Sequence, residues 1–183
     1  MKEFNNKTRQ SGFTLIELLI VVIIVGILAA VIVPQFASST DDASNSASTA
    51  NLATLRGAVD LYFQQHGEYP SANIASGGTC AGTAGTGAAD TEEAFISQLA
   101  LFTNGDGLAC STRSDGTNDV YIYGPYLNRD ELPVSITGFN DLDVVIDGDL
   151  NLTGAAANTA DAGWKFDNRS GKLIIDHADY DDL

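Results

Sequence analysis

Basic residues are scarce in this chain: nine Lys and Arg stand against 24 Asp and Glu, and the formal net charge is −15. That balance excludes a surface built to neutralise nucleic-acid phosphates, which needs clustered lysine and arginine. Histidine is scarcer still, with only His66 and His177. No His pair has metal-ligand spacing, and no nucleophile elbow or phosphate-binding loop is present. No enzyme is expected. Two lone cysteines, Cys80 and Cys110, make no zinc site without suitably spaced histidines. In an oxidising compartment they would pair, closing a loop of about 30 residues worth roughly 3–4 kcal/mol. Two free buried thiols are the alternative.

Charge of either sign is also missing from one long stretch, Leu18 to Val33. About twenty apolar residues cross a bilayer as a helix. A carboxylate in hydrocarbon is costly, so Glu17 at the head of this run needs a purpose or a partner. The plain reading is that it sits near the helix end and snorkels to the headgroups. Lys2, Lys7 and Arg9 precede the run, opposed by Glu3, while Asp41 and Asp42 follow it. Positive charge stays cytoplasmic, so the N-terminus is expected inside and everything after Ser38 outside. A cleaved secretory signal shares this polarity, and Ala37-Ser38-Ser39 offers small residues for its cleavage. The run is longer than the usual apolar region of about 7–15 residues, and a Glu does not belong in one.

The basic leader, the stretch Gly12-Phe13-Thr14-Leu15-Ile16-Glu17-Leu18 and the Val/Ile-rich run resemble the class III signal of type IV pilins and type II secretion pseudopilins. The resemblance implies that a prepilin peptidase cuts after Gly12 and methylates the new amine on Phe13. The apolar helix then stays on the protein. It makes Glu17 the acidic residue of the motif and Gly26 and Pro34 the positions that loosen the helix. A weaker likeness continues through Leu55-Arg56 to Gly67-Glu68-Tyr69-Pro70. The implied partners are other copies of the chain in a helical filament, the peptidase/methyltransferase, the membrane, and an inner-membrane assembly platform with its ATPase. Physics supports this use of Glu17. An amine and a carboxylate in an apolar bundle are each costly alone, and paired they satisfy one another. Glu17 lies four residues, about one helical turn, from Phe13. A neighbour displaced axially by about one turn would bring its amine to Glu17, so Glu17 would set register between subunits.

The chain divides into a leader (1–12), a membrane and filament-core helix (13–38), an amphipathic helix (39–70) and a head (71–183). One helix is expected from Phe13 to His66, about 80 Å long and loosened at Gly26 and Pro34. Leu52, Leu55, Val59, Tyr62 and His66 recur at helical spacing and form one apolar stripe. Gly67 and Pro70 end it. Ser71 to Ala89 is almost all Ser, Ala, Gly and Thr, which predicts a surface loop. Asp90, with Glu93 three residues on, should cap a short helix bearing Phe95, Leu99 and Phe102, ended by Asn104 to Gly107. Val120–Tyr123, Val134–Thr137 and Val144–Ile146 are candidate strands. Trp164–Asp167 and Lys172–Asp176 form the clearest hairpin, with Trp164 and Phe166 on one side. The expected class is α+β, a long helix packed on a small antiparallel sheet, which is also the pilin fold. Gly124-Pro125-Tyr126-Leu127 and the Trp164 hairpin resemble pseudopilin heads. The Asp-Pro-Trp-Gly segment of the major secretion pseudopilin is absent.

Asp141, Asp143, Asp147 and Asp149 are candidate calcium ligands. Asp147, Asp149 and Asn151 have the opening spacing of an EF-hand, but the loop lacks the sixth-position Gly and twelfth-position Glu. Some secretion pseudopilins bind calcium near the C-terminus, so the resemblance leaves calcium open beside a solvated acidic surface. Asp176, Asp179, Asp181 and Asp182 are expected in a solvated tail with His177. The expected function is structural: a subunit stored in the inner membrane, then polymerised into an external pilus or a periplasmic pseudopilus. A tip adhesin or ligand-binding subunit anchored by the same helix is the alternative.

Overall fold

The computed structural model describes residues 13–148, 150–156 and 162–183. They fall into two compact units that part between Ala43 and Ser44. Helix α1, Leu15–His66, contributes to both. In the first unit, Leu15–Ile32 has a mean hydropathy of 3.3, and none of it is buried. The helix is unbroken at Gly26 and Pro34. A side chain added at Gly26 would meet nothing within 4 Å.

The second unit carries the rest of α1 with α2 (Glu92–Ala100), β1 (Phe102–Thr103), β2 (Ala109–Cys110), β3 (Leu142–Val145), β4 (Trp164–Asp167) and β5 (Leu173–Ile175). The expected stripe is its spine: Leu52, Leu55, Val59 and Tyr62 are buried together with Phe95 and Leu99 of α2 and Trp164, Phe166, Leu173 and Ile175 of the hairpin. Gly67 takes φ 77° and its amide donates to the Phe63 carbonyl at 2.8 Å, the left-handed stop that glycine allows. Arg56 fastens the helix to the hairpin. Its Nε donates to the Leu173 carbonyl at 3.0 Å and its Nη2 to the Leu183 carbonyl at 2.6 Å.

The fold class is α+β, but the principal sheet is mixed. β4 and β5 pair antiparallel as the hairpin pattern predicts, whereas β3 lies parallel to β4 with Leu142 opposite Trp164. The connection from Ile146 to Gly163 is long enough for the crossover that parallel pairing needs. Ile174 is fully buried although it faces away from Leu173 and Ile175, so β5 is covered on both sides.

Several local expectations give way to longer-range contacts. The cap of α2 is Thr91, whose hydroxyl accepts from the Ala94 amide at 3.3 Å. Asp90 instead takes φ 63° and accepts from Asn168 Nδ2 at 2.7 Å. The helix stops at Ala100, and Asn104 to Gly107 is the turn between β1 and β2, where the Asn104 side chain accepts from the Asp106 and Leu108 amides. Val120–Tyr123 is not a strand and makes isolated bridges only, such as Tyr123 to Thr103. Val134–Thr137 turns, with the Ser135 and Thr137 hydroxyls 2.6 Å apart. Both segments have β-prone residues but no continuous partner edge, and propensity alone does not make a strand. The acidic tail is docked as well. Asp176 is buried and accepts from the Ala155 amide, Asp181 accepts from the Gly154 amide, and the His177 ring packs on Tyr180.

The segment from Ser71 to Ala89 is sewn onto α2 and β2 rather than lying free. Ser71 and Ala75 are fully buried, and the Gly85 amide donates to the Ala109 carbonyl at 2.7 Å. Cys80 and Cys110 are joined, with 5.8 Å between their Cα atoms. Replacing both by serine removes the restraint on a loop whose ends are 30 residues apart. Head stability should fall by about 3 kcal/mol, read as a lower urea midpoint. An unchanged midpoint would mean that the loop's own hydrogen bonds hold it.

Candidate functional site

The chain's most unusual surface begins at Phe13, which is 87 % exposed. Every described side chain from Phe13 to Ile32 is exposed, including nine isoleucines, leucines and valines between Leu15 and Ile24. Monomeric soluble proteins rarely show apolar patches beyond a few hundred Å². A helix apolar on all sides is built for a membrane or for the centre of a bundle.

Glu17 is held by its own helix end. Thr14 is the residue before the first helical turn. Its amide and its hydroxyl both donate to Glu17 Oε2, at 3.1 and 3.0 Å, while the Glu17 amide donates to Thr14 Oγ1 at 3.2 Å. This is a reciprocal capping box, which satisfies two amides that helix geometry leaves without partners. The Thr-x-x-Glu pattern of the sequence is the signal of this cap. Both bonds fall on Oε2, and among the described residues no donor meets Oε1.

The other motif positions divide. Phe13, Glu17 and Gly26 lie in the described first unit. Gly12 and the basic leader lie outside the described residues, and for Pro34 only its place in the helix is described. Of the four aspartates considered for calcium, Asp149 lies outside the described residues. Asp141 and Asp147 are exposed, and Asp143 faces Lys165 at 3.8 Å. Among the described residues no three acidic, His or Cys side chains converge on a common point.

Two head residues matter more than their sequence context suggests. Gln98 is fully buried, and its amide is fully used. Oε1 accepts from the Ser71 amide at 2.6 Å, while Nε2 donates to the carbonyls of Asn73 and Gly107 at 3.1 and 3.0 Å. His66 stacks on Tyr62 with ring centroids 4.0 Å apart. Its Nδ1 lies 3.1 Å from the Tyr62 carbonyl and its Nε2 3.1 Å from the Asn104 carbonyl. Burial holds its pKa below the usual value, against the pull of those two carbonyls.

Residues 7–33 match the family described as the prokaryotic N-terminal methylation motif. The chain is 43% identical over 65 residues to a type II secretion system core protein G of Pseudomonas aeruginosa, covering 36% of this chain and 46% of that protein. It is 47% identical over 70 residues to a fimbrial protein of Neisseria meningitidis serogroup A, covering 38% and 41%. A type IV major pilin protein of Neisseria gonorrhoeae matches at 44% over 70 residues, covering 38% of this chain and 42% of that protein. The chain thus spans less than half the length of these curated relatives, and no solved structure matches it significantly. The methylation motif, the exposed apolar helix and these likenesses make the N-terminal third of the chain similar to that of pilins and secretion pseudopilins.

Proposed function

We propose that this chain is a structural, non-catalytic subunit of a type IV pilus-like filament, either a pilus or a secretion pseudopilus. The observation that carries the reading is the exposed apolar helix Leu15–Ile32 with a single carboxylate at its head. In the membrane that surface is solvated by lipid, and in a filament it is solvated by the same surface of other copies. The N-terminus lies on the cytoplasmic side and the head across the membrane, as the basic leader directs. A prepilin peptidase cuts after Gly12 and methylates Phe13, and an inner-membrane platform with its ATPase extracts the subunit. Glu17 then serves twice: Oε2 stays in the capping box while Oε1 receives the neighbour's amine. Calcium remains a candidate ligand of the Asp141–Asp149 region, to be tested by calorimetry with calcium chloride.

Two measurements test this reading. Intact-mass analysis of the purified protein should show a chain that begins at Phe13 and carries one added methyl group. A chain that begins at Thr40 would lack the apolar helix and end the proposal. Shearing of cells should then release filaments if the assembly is an external pilus, and leave the subunit with the cells if it is a pseudopilus.

A further inference from the structure

The segment that joins β3 to β4 carries a short pattern with no part in filament assembly. Asn-x-Ser/Thr occurs three times in the chain, at Asn6, Asn151 and Asn168. In an exported protein this pattern is an acceptor for sugar on the asparagine amide, provided that it lies at the surface. The three copies differ in their surroundings. Asn6 lies in the leader, ahead of the cut after Gly12. Asn168 is closed by the fold: it is 4 % exposed, and its Nδ2 donates to Asp90 Oδ1 at 2.7 Å. A sugar on that nitrogen would need the hairpin turn to open and would take this donor from the Asp90 carboxylate.

Asn151 is presented instead. It and Thr153 are exposed, while Leu152 between them is 8 % exposed. Alternation of this kind puts residues i and i+2 on one side of an extended chain. The acceptor amide and the hydroxyl thus share the outer side, and the middle residue is the anchor. Lys172 holds the same stretch to the hairpin. Its Nζ donates to the Leu150 carbonyl at 2.9 Å and to the Leu152 carbonyl at 3.3 Å. Both bonds go to backbone oxygens, so the restraint does not use the Asn151 or Thr153 side chain. Leu150, next to Asn151, is 70 % exposed, an apolar surface that an attached sugar would shade.

We propose that Asn151 is an N-glycosylation site, modified across the membrane by a transferase that uses a polyprenyl-diphosphate sugar donor. The proposal rests on the export of the head in the function proposed above. Asn151 Nδ2 forms a bond to C1 of the sugar. The C1–O bond to the diphosphate breaks, the diphosphate leaves with that electron pair, and one amide proton passes to a base on the transferase. Thr153 is a positioning residue, its hydroxyl meeting the transferase beside the acceptor amide. Transfer to Asn151 needs no unfolding of the head, whereas transfer to Asn168 does.

The test uses protein extracted from its own cells, membrane and sheared fractions together, digested and mapped by mass spectrometry. The peptide bearing Asn151 should carry a sugar, and the peptide bearing Asn168 should be bare. Asn151→Gln and Thr153→Val should each lose the whole added mass. Thr153→Ser should keep it, which ties the loss to the hydroxyl rather than to a damaged fold. A bare Asn151 overturns the proposal. If that bare chain begins at Phe13, the export reading stands; if it still carries residues 1–12, the export reading falls as well. Sugar retained by Asn151→Gln or Thr153→Val, or found on Asn168 in place of Asn151, would equally overturn it.

Discussion

Filament growth should be lost when Glu17 is replaced by valine, and lost as fully when it is replaced by glutamine. The two variants separate the helix cap that Glu17 makes from the pairing with a neighbour's amine proposed for it. Glutamine at the third helical position can still accept from the Thr14 amide and hydroxyl, so the capping box survives in Glu17→Gln. The charge does not survive. If the role of Glu17 is to meet a neighbour's amine inside an apolar bundle, an uncharged partner leaves that amine unsatisfied. Insertion into the membrane should be unharmed in both variants, because the segment only becomes more apolar. The readouts are subunit in the membrane fraction and filament yield after shearing. Normal filaments from Glu17→Gln but not from Glu17→Val would reduce Glu17 to a helix cap. Normal filaments from both would make it a bystander.

The head should be most sensitive at Gln98. Gln98→Leu keeps the volume but strips partners from the Ser71 amide and the Asn73 and Gly107 carbonyls, three backbone groups in or beside the core. An orphaned buried group costs about 1–3 kcal/mol. Even with partial relaxation the variant should lose at least about 3 kcal/mol. Urea unfolding followed by the fluorescence of the buried Trp164 would measure it. A loss within about 1 kcal/mol would show that water or backbone adjustment replaces the amide. Ser71 holds φ 69° in the native head, so its strained backbone relies on the same glutamine.

What the sequence made legible was periodic or local. The Leu52–Tyr62 stripe is a spacing of three and four. The β4–β5 hairpin is alternation around Asn168-Arg169-Ser170-Gly171, where the Asp167 carboxylate accepts from the Ser170 hydroxyl and the Arg169 amide. The apolar run and its acid are a composition signal, and the two cysteines had one possible pairing. What stayed hidden depended on distant partners. Asp90 and Thr91 are equally good caps by residue type, and Asn168, 78 residues away, draws Asp90 off. β3 reads as a strand, but its own residues do not say which edge it joins or in which direction. Gln98 looks like a surface residue on a helix with buried Phe95 and Leu99, and only the return of the 71–73 and 107 backbones makes it central. The tail looked solvated because aspartates are usually exposed, yet Asp176 and Asp181 meet the 154–155 amides.

The contact from Arg56 to Leu173 spans 117 residues, and the same helix stripe packs on Trp164, Phe166 and Ile175. Such distance imposes an order of events on a chain made from its N-terminus. Leu52, Leu55, Val59 and Tyr62 emerge early, and their cover is complete only when the last strand arrives. The core of the head is therefore complete only near the end of synthesis, around a hairpin that is itself quick to assemble. During that interval the stripe is a sticky surface. Interruption of translation shortly before Leu173 should leave a protease-sensitive chain, however much of the head has already been made.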